Sequence, residues 1–348
     1  MRSFELISAV SCFALLFMAC APTYKARIDA AADAGIVWPG KPEKPRIRYL
    51  WSLHSIGAQT AEGERSYLDI LAGNPAGGLS DPRNAEMLLR PQGIYVDDRR
   101  YYIADPGAAR VTVIDRKTMD VLQLTGARGE DFEYPISVVA APDGRIYVAD
   151  SDLNKVFIFG EGGAFLSSFE GEFVRSSGLA IDRVRGVIYV VDTLGHAVMK
   201  HGLDGKRLGS FGKRGEADGE FNYPGYAFVD DKGRVYISDS LNFRVQIFSP
   251  EGTFISKFGE LGDSYDTLEK PKGVAVDREG HIYVVDGGKD MVKIFDREGR
   301  LLLYFGEQGQ KYGDFYLPTG IFIDKDNVIY VADNINMRIQ AFQFLGGE

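Results

Sequence analysis

Residues 223–259 read YPGYAFVDDKGRVYISDSLNFRVQIFSPEGTFISKFG, and they set the pattern for most of the chain. Four short apolar runs are separated by turns that are rich in Gly, Asp, Ser and Pro. Runs of about five residues joined by such turns predict four strands in an antiparallel meander. One such sheet cannot bury both of its faces alone, so the fold depends on how often the unit recurs.

The second run of the unit recurs six times, and an aspartate closes each copy. The pentads YYIAD, IYVAD, IYVVD, VYISD, IYVVD and IYVAD end at Asp105, Asp150, Asp192, Asp239, Asp286 and Asp333. Successive aspartates are 42 to 47 residues apart. An apolar strand precedes each pentad, a third strand follows it, and a fourth strand follows in five of the six copies.

The sixth copy lacks its fourth strand because the sequence stops at Glu348. A spare strand of the same type, RIRYLWSL, lies at residues 46–53. We therefore predict an all-β fold, a six-bladed β-propeller of four-stranded blades, in which the amino-terminal strand completes the last blade. Such closure leaves no inner sheet edge open for aggregation.

The amino terminus has the features of an export signal. An apolar segment, Leu6 to Met18, follows a short charged start and is too short to span a bilayer stably. It leads into LFMAC, which resembles a bacterial lipobox except that Phe17 stands at the position usually held by Leu. We interpret residues 1–19 as a lipoprotein signal peptide and Cys20 as the lipid attachment site; a plain secretory signal is the alternative. The protein is then exported and lipid-anchored to a bacterial membrane, on the periplasmic side or at the cell surface.

Residues 20–44 contain several Ala, Gly and Pro and are predicted to be a tether. The propeller is assigned to residues 45–348, with an insertion at 55–88 before blade one. This insertion contains SYLDILAGN, a short helix or an extra strand, and it is long for a connection in a compact domain. It either lies across one face of the ring or is a surface insertion without a role.

The recurring residues, a Pro-x-Gly turn, then [IV]-Y-[IV]-x-D and N-x-R-[VI]-Q, resemble the NHL repeat over residues 46–345. With the lipobox-like start, the chain is similar to bacterial NHL-repeat lipoproteins, which implies a six-bladed propeller but little about activity. NHL propellers include protein-binding and RNA-binding modules and one enzyme branch, the peptidylglycine alpha-amidating lyases. The net charge of −9 argues against a nucleic-acid partner, which needs a basic surface.

The repeated residues are predicted to be structural. We expect the six aspartates to accept hydrogen bonds from loop amides. Basic residues five positions after four of them are assigned to the same scaffold, namely Arg110, Lys155, Arg244 and Arg338. The repeated tyrosines are expected to pack between blades; they are Tyr102, Tyr147, Tyr189, Tyr236, Tyr283 and Tyr330.

A binding surface is predicted on the face that carries the loops before the first strands and between the second and third strands. The residues expected there are Gln92, Tyr134, Ile136, Ser177, Tyr223, Tyr226, Lys272 and Thr319. Tyr226 stands where four sibling copies have Gly, so it either contacts a ligand or fills a gap between blades. We call this surface the predicted face.

Catalytic and metal sites have weak support in the sequence. The resemblance to amidating lyases implies a zinc held by three histidines, but only His196 lies in a matching loop, so His196 is a weak candidate and no second or third ligand is found. The acidic turns at 230–231 and 324–326 could bind calcium but supply few ligands. The sequence therefore favours a non-catalytic, membrane-anchored binding or scaffold propeller outside the cytoplasm, with a protein or glycan partner. The alternative is a metal-dependent lyase or hydrolase that acts on a small substrate in the central channel.

Overall fold

The computed structural model describes residues 25–29, 35–57, 87–127, 129–170 and 173–346. They form six antiparallel sheets, and the first strands of neighbouring sheets contact each other around one axis. The first strand of each sheet is therefore the innermost, and the sheets are the blades of a propeller. The predicted six-bladed β-propeller is confirmed, and the described ranges contain no α-helix.

We number the blades in chain order and their strands outward from the axis. Blade 1 consists of Gly93–Val96, Arg100–Asp105, Arg110–Asp115 and Val121–Leu124. Blade 2 consists of Pro135–Ala140, Ile146–Asp150, Lys155–Phe159 and Phe165–Glu170. Blade 3 consists of Ser176–Asp182, Val187–Asp192, Ala197–Gly202 and Arg207–Phe211.

The other half of the ring repeats this order. Blade 4 consists of Pro224–Val229, Val235–Asp239, Arg244–Phe248 and Phe254–Phe258. Blade 5 consists of Pro271–Val276, Ile282–Asp286, Met291–Phe295 and Leu301–Phe305. Blade 6 consists of Pro318–Ile323, Val328–Asp333, Arg338–Phe344 and Ile47–Ser55. Two 3-10 turns, Pro106–Ala108 and Ser240–Asn242, and one small hairpin, Gly126–Ala127 with Glu130–Asp131, lie between these strands.

The amino-terminal strand closes the ring as predicted. Ile47–Ser55 pairs antiparallel with Arg338–Phe344, from Leu53 opposite Ile339 to Ile47 opposite Phe344. Ile47, Tyr49, Ser52 and Leu53 of this strand are buried, and Leu53 is 2% exposed. Hydrogen bonds between the two ends of the sequence thus hold blade 6 together and complete the ring.

The prediction of a tether at 20–44 is wrong for two described segments of it. Arg27–Asp29 pairs with the closing strand as a fifth strand, and Val37–Trp38 pairs with the other end of the same strand. The Trp38 ring lies 5.7 Å from Phe305 and 5.8 Å from Phe342, measured between ring centroids. The open edge of the closing strand supplies backbone hydrogen bonds, and the aromatic cluster covers the indole, so these segments are docked on the propeller.

Several predicted features lie outside the described residues: the signal peptide at 1–19, Cys20 and most of the insertion at 55–88. The two ends of the insertion are described, and they lie together, because Leu88 N donates to His54 O at 2.9 Å. Within the described ranges, none of the helical segments is long and apolar enough to cross a membrane.

The six repeated aspartates are buried and accept hydrogen bonds from backbone amides, as predicted. Each binds the segment that precedes the first strand of its own blade; Asp105, for example, accepts from Arg90 N at 2.7 Å and Asp333 from Tyr316 N at 2.8 Å. Every one of the six is at most 1% exposed. We call this arrangement the aspartate latch, because it joins the second strand to the chain that enters the blade.

The basic residues complete the latch in some blades only. Arg244 Nε lies 2.8 Å from Asp239, and Arg338 Nε lies 2.7 Å from Asp333, which confirms their predicted role. Arg110 is buried 3.9 Å from Asp105. Blade 5 has no arginine at this position, and the buried Lys293 supplies the charge instead, 2.7 Å from Asp286.

Lys155 was assigned to the same scaffold, and that assignment is wrong. Its Nζ lies 2.8 Å from Glu130 and 2.9 Å from Glu170, near the surface of blade 2. The carboxylate of Asp150 is already occupied by the amides of Glu133 and Tyr134. The small hairpin and the fourth strand therefore provide the carboxylates that Lys155 binds.

The repeated tyrosines are buried between blades, as predicted, and are at most 2% exposed. Their hydroxyl groups are also hydrogen-bonded. Tyr147 O–H donates to Leu203 O of the next blade at 2.7 Å, and Tyr189 O–H donates to Pro250 O at 2.9 Å. Burial raises the pKa of both phenols to about 12, so they remain neutral donors.

Candidate functional site

The propeller encloses a central channel of about 360 Å³ along its axis. First strands of all six blades line it, together with the turns between first and second strands. The channel therefore opens at the end formed by these turns, which we call the mouth. The mouth lies on the side of the ring opposite to the predicted face, because the two ends of a first strand point to opposite sides.

The other end of the channel is crossed by a hydrogen-bonded bridge. Gln92 Nε2 donates to the Tyr134 hydroxyl at 2.7 Å, and Tyr226 O–H faces Gln92 Oε1 at 3.5 Å. Gln92 belongs to blade 1 and Tyr226 to blade 4, and these blades stand opposite each other in a ring of six. A contact between opposite blades must cross the axis, so Gln92, Tyr134 and Tyr226 form a floor beneath the channel.

Tyr226 interrupts a ring of glycines that brings the first strands close together. A Cβ on Gly320 would lie 2.3 Å from Gln92 O, and a Cβ on Gly273 would lie 2.6 Å from Thr319 O. Such distances exclude a side chain at those positions. Blade 4 alone carries a large side chain at this level. Burial raises the pKa of Tyr226, whose hydroxyl also lies beside that of Thr319.

Above the floor, one position of the first strand carries an aromatic side chain on three blades and a small side chain on the other three. Tyr95, Phe228 and Phe322 belong to blades 1, 4 and 6; the Phe322 ring lies 4.8 Å from Tyr95 and 6.4 Å from Phe228. The equivalent positions on the other three blades hold Val139, Ala180 and Ala275. Since blades 2 and 3 are adjacent, one side of this level carries only the short apolar side chains of Val139 and Ala180, both 4% exposed, and we call it the wide side.

Aspartates at the ends of four first strands accept hydrogen bonds that stabilise the turns of the mouth. Each accepts a hydrogen bond from a repeated tyrosine, for example Asp324 from Tyr330 at 2.8 Å and Asp277 from Tyr283 at 3.1 Å. Burial, and then the neighbouring carboxylate, raise the pKa of Tyr283 and of Tyr330. These carboxylates face the phenols and the turn amides rather than the channel.

The cations of the mouth fall into two groups. Some are paired: Arg116 with Asp324 at 3.2 Å, Arg234 with Asp230 at 2.7 Å and Lys325 with Asp98 at 2.8 Å. The others line the mouth from blades 3, 4 and 5, are exposed, and form no ion pair with any residue in the described ranges. They are Arg183, Lys232, Arg278 and Arg297, of which Arg297 donates to Glu279 O at 2.6 Å.

The residues of the predicted face are only partly brought together. Gln92, Tyr134 and Tyr226 meet in the floor, and Thr319 is buried beside them with its hydroxyl 3.2 Å from Gln92 O. Ser177 is buried in blade 3, where its hydroxyl lies 2.7 Å from that of Thr193. The hydroxyl groups of Thr319 and Ser177, both predicted on the face, therefore do not face solvent.

Tyr223 and Lys272 lie apart from the floor. The Tyr223 side chain is 38% exposed and its ring packs edge-on against His196, 4.9 Å away. Lys272 is half-buried, and burial followed by the charge of Lys270 lowers the pKa of its ammonium. Ligand binding by the residues of the predicted face stays a prediction.

His196 is held within the protein. Its Nδ1 accepts from Tyr223 N–H at 3.3 Å and lies 3.2 Å from Phe221 O, and the side chain is buried. No group of three His, Cys, Asp or Glu residues in the part of the chain that the structure describes could hold a metal ion. The sequence analysis missed Arg183 and Phe228. Blades 5 and 6 carry Arg278 and Lys325 at the position of Arg183, and blades 1 and 6 carry Tyr95 and Phe322 at the position of Phe228, so aligning the six first strands with the turns that follow them would have found both.

Comparison with known proteins supports the repeat and the fold. A family model described as the NHL repeat matches residues 315–342, and a second, the DUF5128 family of 6-bladed beta-propellers, matches residues 128–211. Among curated proteins, no sequence relative was found.

Solved structures of similar shape include a streptogramin B lyase with 13% identity and a TM-score of 0.55, covering 73% of this chain and 93% of the lyase. A protein of unknown function from Bacteroides thetaiotaomicron has 17% identity and a TM-score of 0.57, covering 74% of this chain and 70% of its own. An auxiliary nutrient binding protein from the same organism has 13% identity and a TM-score of 0.59, again covering 74% and 70%. Identities this low show a common fold alone. Taken with the six latched blades, the matches show that the chain is a six-bladed β-propeller that contains an NHL repeat.

Proposed function

We propose that this propeller is a non-catalytic binding protein that holds a small ligand in its central channel. The observation that carries the proposal is the shape of the channel, which is open at the mouth and crossed by the floor at its other end. A cup of about 360 Å³ with an apolar wall and a few polar groups has the size and character of small-molecule sites in proteins.

The lining favours binding over chemistry. Four of the acidic side chains at the mouth are engaged by turn amides and phenols, and the paired cations are engaged by carboxylates. The metal-dependent lyase or hydrolase considered from the sequence would need a set of metal ligands. The described part of the chain does not gather one.

Filling the wide side of the channel is expected to abolish ligand binding. Ala180 lies there, and the same position holds Phe in blades 4 and 6, so the blade backbone accepts an aromatic side chain. We expect Ala180→Phe to reduce the affinity for a channel ligand more than tenfold, since the added ring occupies the space that the ligand needs. Fluorescence titration with N-phenyl-1-naphthylamine, a small apolar dye, measures this.

The control for Ala180→Phe is its melting temperature, which should stay close to that of the unchanged protein. Leu208→Phe adds apolar area on the outer strand of the same blade, where Leu208 is exposed, and should leave dye binding as it was. Equal dye affinity in Ala180→Phe and the unchanged protein would show that the channel is not the binding site.

The predicted face supports a second candidate function, the docking of a protein or glycan partner. Exposed apolar side chains lie on that side of the ring; they include Leu194, Tyr223, Leu241, Leu317 and Met337. Apolar groups exposed next to one another mark interaction surfaces when they are contiguous. In blade 4 the backbone segments that carry Tyr223 and Leu241 are adjacent, because Leu241 N donates to Asn222 O at 3.0 Å.

A partner at the predicted face should depend on Tyr223 and not on the channel. We expect Tyr223→Ala to weaken capture of that partner from an envelope extract, because the exposed ring is lost, while Ala180→Phe captures it as before. Pull-down followed by mass spectrometry measures the recovered partner. Identical recovery with both variants would remove Tyr223 from the docking surface.

We also propose that the protein acts outside the cytoplasm, held on a bacterial membrane by lipid at Cys20. The lipobox-like sequence at 16–20 supports this proposal. A ligand cup and a docking face on a membrane-anchored ring would suit capture of a small molecule at the envelope.

A further inference from the structure

We propose that the ligand of the central channel is a small organic anion with an apolar body, and that Arg183, Lys232 and Arg278 bind its charged end at the mouth. This inference rests on the proposed function, since it names the chemical class that the channel would hold. It is carried by the charge of the lining, by the position of Arg183 and by the apolar wall beneath it.

The channel lining differs in charge from the rest of the protein. The chain has 49 acidic and 40 basic residues, a net charge of −9, yet seven basic and six acidic residues line the channel. The lining is therefore slightly positive in a protein that is otherwise acidic. In a cleft with low-dielectric walls such a charge raises the local concentration of an anion.

Most of the acidic groups in the lining are not free to bind a ligand. Asp97, Asp230, Asp277 and Asp324 each accept a tyrosine hydroxyl and backbone amides of their own turn. Asp98 pairs with Lys325. Of the acidic residues that line the channel, only Asp231, which is next to Lys232 in the sequence, is left to oppose the four cations without an ion pair.

Arg183 lies at the mouth, in the turn that follows the first strand of blade 3, and its side chain is exposed. Its positive charge lowers the pKa of the Tyr95 phenol on blade 1, although burial, the larger effect, raises that pKa to about 12. The Tyr95 O–H donates to Ala140 O at 3.1 Å.

The geometry suits a carboxylate or a similar oxyanion. A guanidinium offers two parallel N–H groups, and charge-assisted hydrogen bonds of this kind are about twice as strong as neutral ones. Lys232 and Arg278 come from the two following blades, so the three cations surround one side of the mouth. An anionic group held there would direct the rest of the ligand downward.

The wall below Arg183 fits an apolar body. Val139 and Ala180 line the channel on blades 2 and 3 with short apolar side chains, and Phe228 and Phe322 line it on blades 4 and 6. The floor ends the space at Tyr226. Charge at one end and an apolar wall at the other select an amphipathic anion over a neutral molecule of the same shape.

The test compares two dyes that share an aromatic body and differ in charge. 1-Anilinonaphthalene-8-sulfonate carries an anionic group, and N-phenyl-1-naphthylamine is its neutral counterpart. We expect the anion to bind more tightly and its affinity to fall as sodium chloride is raised, because salt screens exposed charges. Arg183→Gln should lower the affinity for the anionic dye roughly tenfold and change the affinity for the neutral dye less than twofold.

Lys206→Gln is the matched control, since it removes one positive charge from an exposed turn at the outer part of the same blade. It should leave both affinities unchanged. Arg278→Gln is a second test of the mouth and should weaken only the anion. Melting temperatures of these surface variants should equal that of the unchanged protein.

The outcomes separate this inference from the proposed function. Suppose that Ala180→Phe blocks the binding of both dyes, whereas Arg183→Gln and Arg278→Gln leave both affinities unchanged or lower them equally. The channel then binds ligands, and the preference for an anion is wrong. If Ala180→Phe leaves both dyes bound, the channel itself is not the site and both proposals fail. Selective loss of the anion in the two arginine variants, with Lys206→Gln unaffected, supports the inference.

Discussion

Replacing Asp333 with Ala is expected to lower the free energy of unfolding by about 3–5 kcal/mol, the usual cost of removing one partner of a buried ion pair. Asp333 is fully buried and accepts from Arg338 Nε at 2.7 Å, Gln340 Nε2 at 3.0 Å and Tyr316 N at 2.8 Å. The substitution leaves Arg338, which is 2% exposed, without its charge partner inside blade 6. The loss of the pair and the stranded charge both destabilise the fold.

Denaturant unfolding followed by tryptophan fluorescence measures this effect. Both tryptophans report on blade 6, since the Trp51 ring lies 5.9 Å from Tyr330 and the Trp38 ring 5.8 Å from Phe342. The control is Asp218→Ala, which removes an exposed ion pair with Lys257 and should cost less than about 1 kcal/mol. A comparable small change in both variants would mean that the aspartate latch contributes little to stability.

Cys20→Ser is expected to move nearly all of the protein from the membrane fraction to the soluble fraction. If Cys20 carries the lipid, its removal leaves no anchor that the sequence predicts, and lipid chains account for the whole of the membrane affinity. Cell fractionation with immunoblotting measures the distribution. Cys12→Ser is the matched control, because Cys12 lies within the segment assigned to the signal peptide and its loss should leave the protein on the membrane.

An unchanged distribution in Cys20→Ser would contradict the lipid anchor. If the anchor is present, the structure limits how far the propeller can move from the membrane. Lys25 N donates to Gly57 O at 2.9 Å, and Ala26 N donates to Met119 O at 2.9 Å, so residues 25 and 26 are docked on the propeller. Lys25 is five residues after Cys20, and an extended chain of this length spans at most about 18 Å. The predicted tether of 25 residues would have allowed a much greater distance.

The fold could be predicted from the sequence repeat. Six copies of one pentad predicted the number of blades, and the missing fourth strand of the sixth copy together with the spare strand at 46–53 predicted the closure of the ring. The aspartate latch was predictable for the same reason. A residue that every blade repeats serves contacts that every blade has, and these contacts are local in sequence, about 16 residues apart for Asp105 and Leu89.

The candidate site was predicted in part. Gln92, Tyr134 and Tyr226 are predicted on one face because their loops share it, and Tyr226 also departs from the repeat; the structure does bring these three together. Their role was expected at an open face, whereas they cross the axis and close the channel. The docked segments at 27–29 and 37–38 were also missed, since a two-residue or three-residue strand has no period that a sequence pattern can reveal.

The sequence by itself determined the blade, the number of blades and the strand that joins the ends, because each of these rests on apolar patterns and turns within about 50 residues. Only the tertiary structure decided what the departures from the repeat do. Gln92 and Tyr226 are 134 residues apart and meet because ring closure sets blade 1 opposite blade 4. For the same reason the Phe228 ring of blade 4 lies 6.4 Å from the Phe322 ring of blade 6. Side chains that meet across an axis are neighbours only after the ring has closed, so no local pattern records them.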